Sequence, residues 1–306
     1  MSDKIEKKPI TFSNLVLGAA LNLAEVSTLG QPLEVTKTTM AANRDFGLIN
    51  SVKHIWKRGG VLGFYQGLIP WAWFEAATKG AVLLAVMTEG EYRFRVLGAS
   101  PFVAGIGGGM LGGLSQAYLT MGFCTCMKTV EITRTKDTAS GVPAKSTLQV
   151  FKEIYQKEGI RGINKGVNAV AMRQCTNWGS RFGLARLAED WIKTFRGKGK
   201  DDKLSAFEKI LSSIVGGGLS AWNQPFEVAR VEMQSRVKDP NRPKNLSVFT
   251  TLKYVYQTHG IKGLYKGVTP RIGLGVWQTI FMVSLGDYAK EYIAGRGKGK
   301  PATALK

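Results

Sequence analysis

Long apolar stretches alternate with short basic stretches along this chain of 306 residues. Residues 101–127 and 210–226 contain no charged residue, and residues 10–33 contain only Glu25. About 20 consecutive apolar residues are enough for a helix to cross the hydrocarbon core of a bilayer. The pattern therefore predicts membrane-spanning helices joined by basic, polar connections.

One phrase recurs three times: GVLGFYQG ends at Gly67, GIRGINKG at Gly166 and GIKGLYKG at Gly267. These glycines are 99 and 101 residues apart. Each phrase follows a short amphipathic stretch and precedes a second long apolar segment. The period predicts three copies of one unit, made of an apolar helix, a short surface helix, a glycine turn and a second apolar helix.

The repeat predicts an all-α membrane protein with six membrane-spanning helices in three pseudo-symmetric pairs. Ser205 and Glu208 predict the start of the fifth long helix, because their spacing is that of a capping box. The six long helices are expected at residues 10–42, 68–96, 102–135, 167–195, 206–238 and 268–294. The chain then divides into a tail, 1–9, three repeats, 10–98, 99–200 and 201–294, and a basic tail, 295–306.

A second phrase ends the first long helix of each unit. Residues 31–37 read QPLEVTK and residues 224–230 read QPFEVAR, whereas residues 123–128 read FCTCMK. Proline removes a backbone donor from a helix, so it predicts a kink in the first and third copies. The middle copy keeps a base, Lys128, but has lost both the proline and the acid.

These two phrases at this period resemble the mitochondrial carrier family over almost the whole chain. The resemblance implies a central cavity, a short helix on the matrix side of each repeat, and gates at both ends of the cavity. The implied matrix gate is a ring of three bases and two acids at the kinked helix ends: Pro32, Glu34, Lys37, Lys128, Pro225, Glu227 and Arg230. The implied gate on the cytoplasmic side contains Asp287 and Lys290.

Polar residues of the even-numbered helices are the candidate substrate site. Helix-turn spacing on three helices groups them as Glu75, Lys79 and Leu83, then Arg173, Gln174, Asn177 and Arg181, then Arg271 and Gln278. Seven residues beyond each turn glycine are Phe74, Arg173 and Leu274, which the resemblance makes contact positions. The site residues are therefore expected at nearly one level.

Three of these residues, Lys79, Arg173 and Arg271, suit a multivalent carboxylate, for which arginine offers two parallel donors. Gln174 and Asn177 could donate to hydroxyl or carbonyl oxygens. Glu75 either holds Lys79 in position or carries a proton that balances charge. Glu25 is expected to pair with one of the bases.

The resemblance implies a transporter that changes no bond in its substrate. It further implies antiport of tricarboxylates and dicarboxylates, citrate for 2-oxoglutarate, by alternating access at the mitochondrial inner membrane. The termini are expected to face the intermembrane space, cardiolipin is the expected lipid partner, and a monomer is expected. A carrier of another anionic metabolite is the alternative substrate class.

Composition leaves one other class open. The chain has 42 Lys and Arg against 22 Asp and Glu, a net charge of +20, and RGKGK occurs at residues 196–200 and 296–300. An additional role in binding nucleic acid is therefore an alternative. No enzyme, cofactor or metal is expected: the two histidines, His54 and His259, lie outside the apolar segments, and the three cysteines form neither a disulfide pattern nor a zinc pattern.

Overall fold

The computed structural model describes residues 12–43, 45–133, 146–197, 205–235, 242–243 and 245–280. Within those ranges the regular structure is helical and contains no strand. The predicted all-α fold is confirmed for the part of the chain that is described. Within the same ranges, no single helix is both long and apolar enough to cross a membrane.

Each repeat contains the same succession of helices. In the first repeat they are α1 (Phe12–Glu25), α2 (Gln31–Ala42), α3 (Leu48–Gly63) and α4 (Trp73–Val96). In the second they are α5 (Pro101–Gln116), α6 (Gly122–Thr133), α7 (Thr147–Ile163) and α8 (Val167–Phe195). In the third they are α9 (Ala206–Leu219), α10 (Gln224–Gln234), α11 (Val248–Leu264) and α12, described over Val268–Ile280.

Serine caps start several of these helices, as the sequence suggested for α9. The Ser205 N–H donates to the Glu208 carboxylate at 2.7 Å, and the Glu208 N–H donates back to Ser205 Oγ at 3.3 Å. Ser146 makes the reciprocal pair with Gln149 at the start of α7. These bonds satisfy donors that the first helical turn leaves free.

An irregular turn interrupts the first long element of every repeat. It is π-helical at Val26–Gly30 and Ala117–Met121, and a 3-10 turn at Ser220–Asn223. All three turns end two positions before Pro32, Phe123 or Pro225. The turn before Pro32 contains a residue with non-helical backbone angles, Thr28, which is a kink of the kind predicted for the first copy. The middle repeat also has a π turn, although Phe123 stands in the proline position.

Tyrosine in the glycine-turn phrase accompanies the proline. The Tyr65 hydroxyl donates to the Thr28 carbonyl at 3.3 Å, and the Tyr265 hydroxyl donates to the Trp222 carbonyl at 3.1 Å. Both carbonyls belong to the irregular turns, whose hydrogen-bonding pattern departs from that of an α-helix. Asn164 replaces the tyrosine in the repeat that lacks the proline.

The long helices close into a ring. Packing runs from α1 to α4, then through α5, α8 and α9 to α12, which returns to α2. Each turn glycine packs against the next repeat around the ring: Gly67 against Lys128, Gly166 against Gln234, and Gly267 against Lys37. All three glycines have positive φ, between 73° and 79°, and each sits where another helix passes close to its backbone.

Replacing Gly267 tests this contact. A Cβ at Gly267 would lie 2.8 Å from the Lys37 carbonyl oxygen, and φ is 79°. We expect Gly267→Ala to destabilise the protein by at least about 1–2 kcal/mol, the cost of a left-handed residue with a Cβ. Thermal unfolding in detergent, followed by circular dichroism, measures the change. Gly218→Ala is the control, since its Cβ would meet no atom within 4 Å; equal melting curves for both variants would contradict the contact.

Candidate functional site

A cavity of about 540 Å³ lies between the long helices. Its wall carries residues of α1, α4, α8 and α12, and α2 and α6 contribute charged side chains. Eight of the predicted substrate-site residues line it: Glu75, Lys79, Leu83, Arg173, Gln174, Asn177, Arg271 and Gln278. The ninth, Arg181, belongs to α8, and its side chain lies outside the described part of the chain.

The expected register is correct on two helices and shifted by one residue on the third. In α8 and α12 the N–H of Val170 and of Arg271 donates to the turn glycine four positions back. After Gly67, the corresponding bond comes from Ala72, five positions along, because a π turn at Leu68–Ala72 precedes α4. The π turn adds one residue, so the eighth position after Gly67 aligns with the seventh in the other repeats.

Glu75, rather than Phe74, therefore lies level with Arg173 and Leu274. Phe74 is half exposed and faces Phe123, with ring centroids 5.6 Å apart. One helical turn further on, the same offset aligns Lys79 with Asn177 and Gln278, and all three line the cavity. Proline does not signal this shift, because Pro270 occupies the same position after Gly267, where no π turn forms.

The predicted gate residues meet at one end of the cavity in a buried ion-pair network centred on Glu227. Its side chain is 1% exposed. Lys37 Nζ lies 2.7 Å from Glu227 Oε1 and 2.5 Å from Glu34 Oε2. Arg230 donates to both oxygens of Glu227, at 2.7 and 3.0 Å, and lies 3.7 Å from Glu34. Charges so deeply buried are stable only when paired and hydrogen-bonded.

Neighbouring polar groups satisfy the rest of the Arg230 guanidinium. Its Nη1 donates to Thr129 Oγ1 at 2.7 Å and to Gln234 Oε1 at 2.9 Å. Gln234 in turn donates to the Lys165 carbonyl at 2.8 Å. Arg230 thereby links α10 to α6 and, through Gln234, to the turn before α8.

The acid missing from the middle repeat comes from another helix. Lys128 Nζ lies 2.9 Å from Glu75 Oε2, and Thr125, which stands in the lost acid's place, donates to the same oxygen at 3.4 Å. Both charged side chains are less than 10% exposed. The ring thus contains three bases and three acids, and Glu75 belongs to it while also lining the cavity. Motif spacing could not identify this partner, because Glu75 lies in α4, outside the repeated phrase.

Two of the three predicted substrate bases also have protein partners. Arg173 Nε lies 3.1 Å from Glu227 Oε2. Arg271 donates to Gln224 Oε1 at 2.9 Å and to Asn223 Oδ1. Lys79 has no ion-pair partner among the described residues, so its ammonium group remains available to an anion in the cavity.

Gln174, one of the two predicted polar donors, also has hydrogen-bond partners within the protein. Gln174 Nε2 donates to Gln116 Oε1 at 2.7 Å and to Met121 Sδ at 2.9 Å. Gln116 Nε2 in turn donates to the Lys79 carbonyl at 2.9 Å. These hydrogen bonds join α8, α5 and α4 and hold Gln174 in place at the cavity wall.

Glu25 differs from the other cavity acids. Its side chain is fully buried and lines the cavity, and neither carboxylate oxygen has a hydrogen-bond partner among the described residues. The direct ion pair that the sequence suggested for it is not formed. The opposite gate, Asp287 and Lys290, lies outside the described residues, as do residues 198–200 and 296–300 of the two RGKGK segments.

The family pattern described as "Mitochondrial carrier protein" matches residues 8–89, 98–196 and 202–297. These three stretches coincide with the three structural repeats. This chain belongs to the mitochondrial carrier family.

Named relatives of this carrier transport organic acids. The "Citrate/oxoglutarate carrier protein" of Saccharomyces cerevisiae is 70% identical over 291 residues, which cover 95% of this carrier and 93% of the yeast protein. The human "Mitochondrial 2-oxodicarboxylate carrier" is 28% identical over 84% of this carrier and 86% of its own length. The yeast "Succinate/fumarate mitochondrial transporter" is 22% identical over 93% and 92%.

Moving the carboxylate from α4 to α6 tests the ion pair between Glu75 and Lys128. Glu75→Gln leaves a buried lysine unpaired, so we expect a loss of about 3–5 kcal/mol of stability. Thr125→Glu in the same background returns a carboxylate to the middle repeat, and we expect it to recover most of that loss. Thermal unfolding of the three proteins in detergent measures the effect.

The control is Glu89→Gln, which alters an exposed pair with Arg93 at 2.8 Å. Exposed pairs contribute about 0–1 kcal/mol, so its melting curve should barely move. If the double variant is no more stable than Glu75→Gln alone, Glu75 does not replace the missing acid.

Proposed function

We propose that this carrier exchanges citrate for 2-oxoglutarate across the mitochondrial inner membrane. The 70% identity to the yeast citrate/oxoglutarate carrier, over nearly the full length of both chains, carries the proposal. The cavity supports it independently, because Lys79, Arg173 and Arg271 converge on one space of about 540 Å³. That volume is within the ~300–1,000 Å³ typical of small-molecule sites.

In this proposal the six long elements span the membrane. Each α-helix, irregular turn and following α-helix acts as one continuous span in the odd positions; residues 12–42 are the first. About 30 residues extend ~45 Å, more than the ~30 Å of a bilayer core. Six spans place both termini on one side, which we assign to the intermembrane space. We also propose a monomer whose basic surface contacts anionic lipid, including cardiolipin.

The mechanism that we propose is alternating access. The ion-pair network around Glu227 closes one end of the cavity, and a tricarboxylate enters from the other end. Lys79 binds one carboxylate first, since its ammonium has no competing ion pair. A second carboxylate then competes for Arg173 with Glu227, whose Oε2 lies 3.1 Å from Arg173 Nε. Each lost contact weakens the closed end, so the binding energy of the anion drives the conformational change.

This arrangement explains why the transported species must be anionic. Opening the network separates buried charges, which is costly unless other charges replace the lost partners. A multivalent carboxylate supplies such charges to Arg173 and Arg271. Because the empty carrier lacks this compensation, the proposal predicts obligatory exchange rather than leak.

Transport by purified carrier in liposomes tests the proposal. We expect labelled citrate to enter vesicles loaded with 2-oxoglutarate and not to enter empty vesicles. Exchange of ADP, phosphate or amino acids without any exchange of carboxylates would overturn the substrate assignment.

Two substitutions test the proposed site. Lys79→Ala and Arg173→Ala each remove a charge that the anion requires, so we expect at least about a thirtyfold loss of citrate exchange, given the 2–5 kcal/mol of a truncated buried charge contact. Lys53→Ala is the control, because Lys53 is an exposed base on α3. Circular dichroism verifies folding, and full activity in both cavity variants would contradict the assignment.

A further inference from the structure

We propose that Glu25 binds the proton that accompanies citrate through the cavity; the inference rests on the exchange proposed above. Citrate as a trianion and 2-oxoglutarate as a dianion differ by one charge. A residue that takes up one proton with citrate and is ionised with 2-oxoglutarate makes the two half-cycles carry equal charge. The structure contains a carboxylate suited to this task at the cavity wall.

Among the described residues, Glu25 is the acid of the cavity wall that forms no ion pair. Glu34, Glu75 and Glu227 all form ion pairs within 3 Å. Glu25 is 0% exposed, and both its oxygens lack hydrogen-bond partners among the described residues. An ionised carboxylate in such a place is costly, whereas a protonated one is not.

Local backbone structure creates the position. Glu25 ends α1, and the π turn that follows brings Gly30 beneath its side chain. A Cβ at Gly30 would lie 2.5 Å from Glu25 Oε1. The carboxylate therefore occupies space that is available only because residue 30 has no side chain.

The groups that face Glu25 come from four elements. Lys79 on α4 and Gln278 on α12 face it from the cavity, although Gln278 makes no hydrogen bond of normal geometry to it, and Glu34 on α2 and Lys128 on α6 face it from the predicted gate. Glu34 and Lys128 are already paired with other residues. Lys79 is the base that Glu25 and an incoming anion would share.

That sharing couples the proton to the substrate. When a citrate carboxylate reaches Lys79, it takes over the positive charge that helps to stabilise ionised Glu25. Carboxylates gathered in one poorly solvated site bind a proton more readily. Glu25 then takes one proton from the water on the open side, and releases it on the other side when citrate leaves. The dianion 2-oxoglutarate returns with Glu25 ionised, so no net charge crosses the membrane.

Liposomes under imposed gradients test the coupling. In wild-type protein we expect each unit of pH difference, acid outside, to raise the steady-state accumulation of citrate about tenfold. A potassium diffusion potential should have no effect. A pH dye trapped in the vesicles should report one proton per citrate.

Glu25→Gln mimics the protonated residue permanently. In this variant the accumulation of citrate in exchange for 2-oxoglutarate should not depend on the pH gradient. It should depend on the membrane potential instead, changing about tenfold for each ~60 mV. If Glu25→Gln keeps the wild-type response to pH, the proton travels on citrate itself, and the inference is wrong. Wild-type exchange driven by potential alone would also overturn it.

Gly30→Ala covers the case in which Glu25→Gln does not transport. It keeps the carboxylate but displaces it from the pocket, so protons moved per citrate should fall below one; an unchanged ratio would contradict the inference. The proposed function has a separate criterion. If wild-type protein exchanges no citrate under any gradient, that function fails, whereas exchange without proton uptake removes only the role of Glu25.

Discussion

The buried carboxylate of Glu227 is the interaction on which this structure depends. Lys37 from the first repeat, Arg173 from the second and Arg230 from its own helix all lie within about 3 Å of it. One acid therefore joins all three repeats at a single point. Three buried cations without that acid would each be costly, so loss of Glu227 would weaken both the ion-pair network and the contacts between the three repeats.

Backbone irregularity makes this convergence geometrically feasible. The π turns at Val26–Gly30 and Ala117–Met121, and the 3-10 turn at Ser220–Asn223, interrupt the long elements just before the charged motifs. The turn glycines then allow each following repeat to approach closely. The middle repeat has a π turn without proline, so an irregular turn at this place does not require proline.

Sequence reasoning predicted most of the architecture, because hydrophobic pattern, caps and turn glycines are local signals. The expected long helices agree with the described elements within a few residues at nearly all ends, and the capping box at Ser205 is present. Eight of the nine substrate-site residues expected from the sequence line the cavity. It failed where an inserted residue in a π turn changed the register, so that Glu75 rather than Phe74 lies level with Arg173.

The sequence by itself determined the three-fold repeat, the helical class, the family and the charged positions, since each follows from periodicity or from residues close together in the chain. Only the tertiary structure decided which charges outside the repeated motifs join those within them. Glu75 pairs with Lys128 across two helices, Arg173 joins the ion-pair network around Glu227, and Glu25 remains without a hydrogen-bond partner among the described residues. Ion pairs depend on distances between helices, and no spacing within one helix encodes those distances.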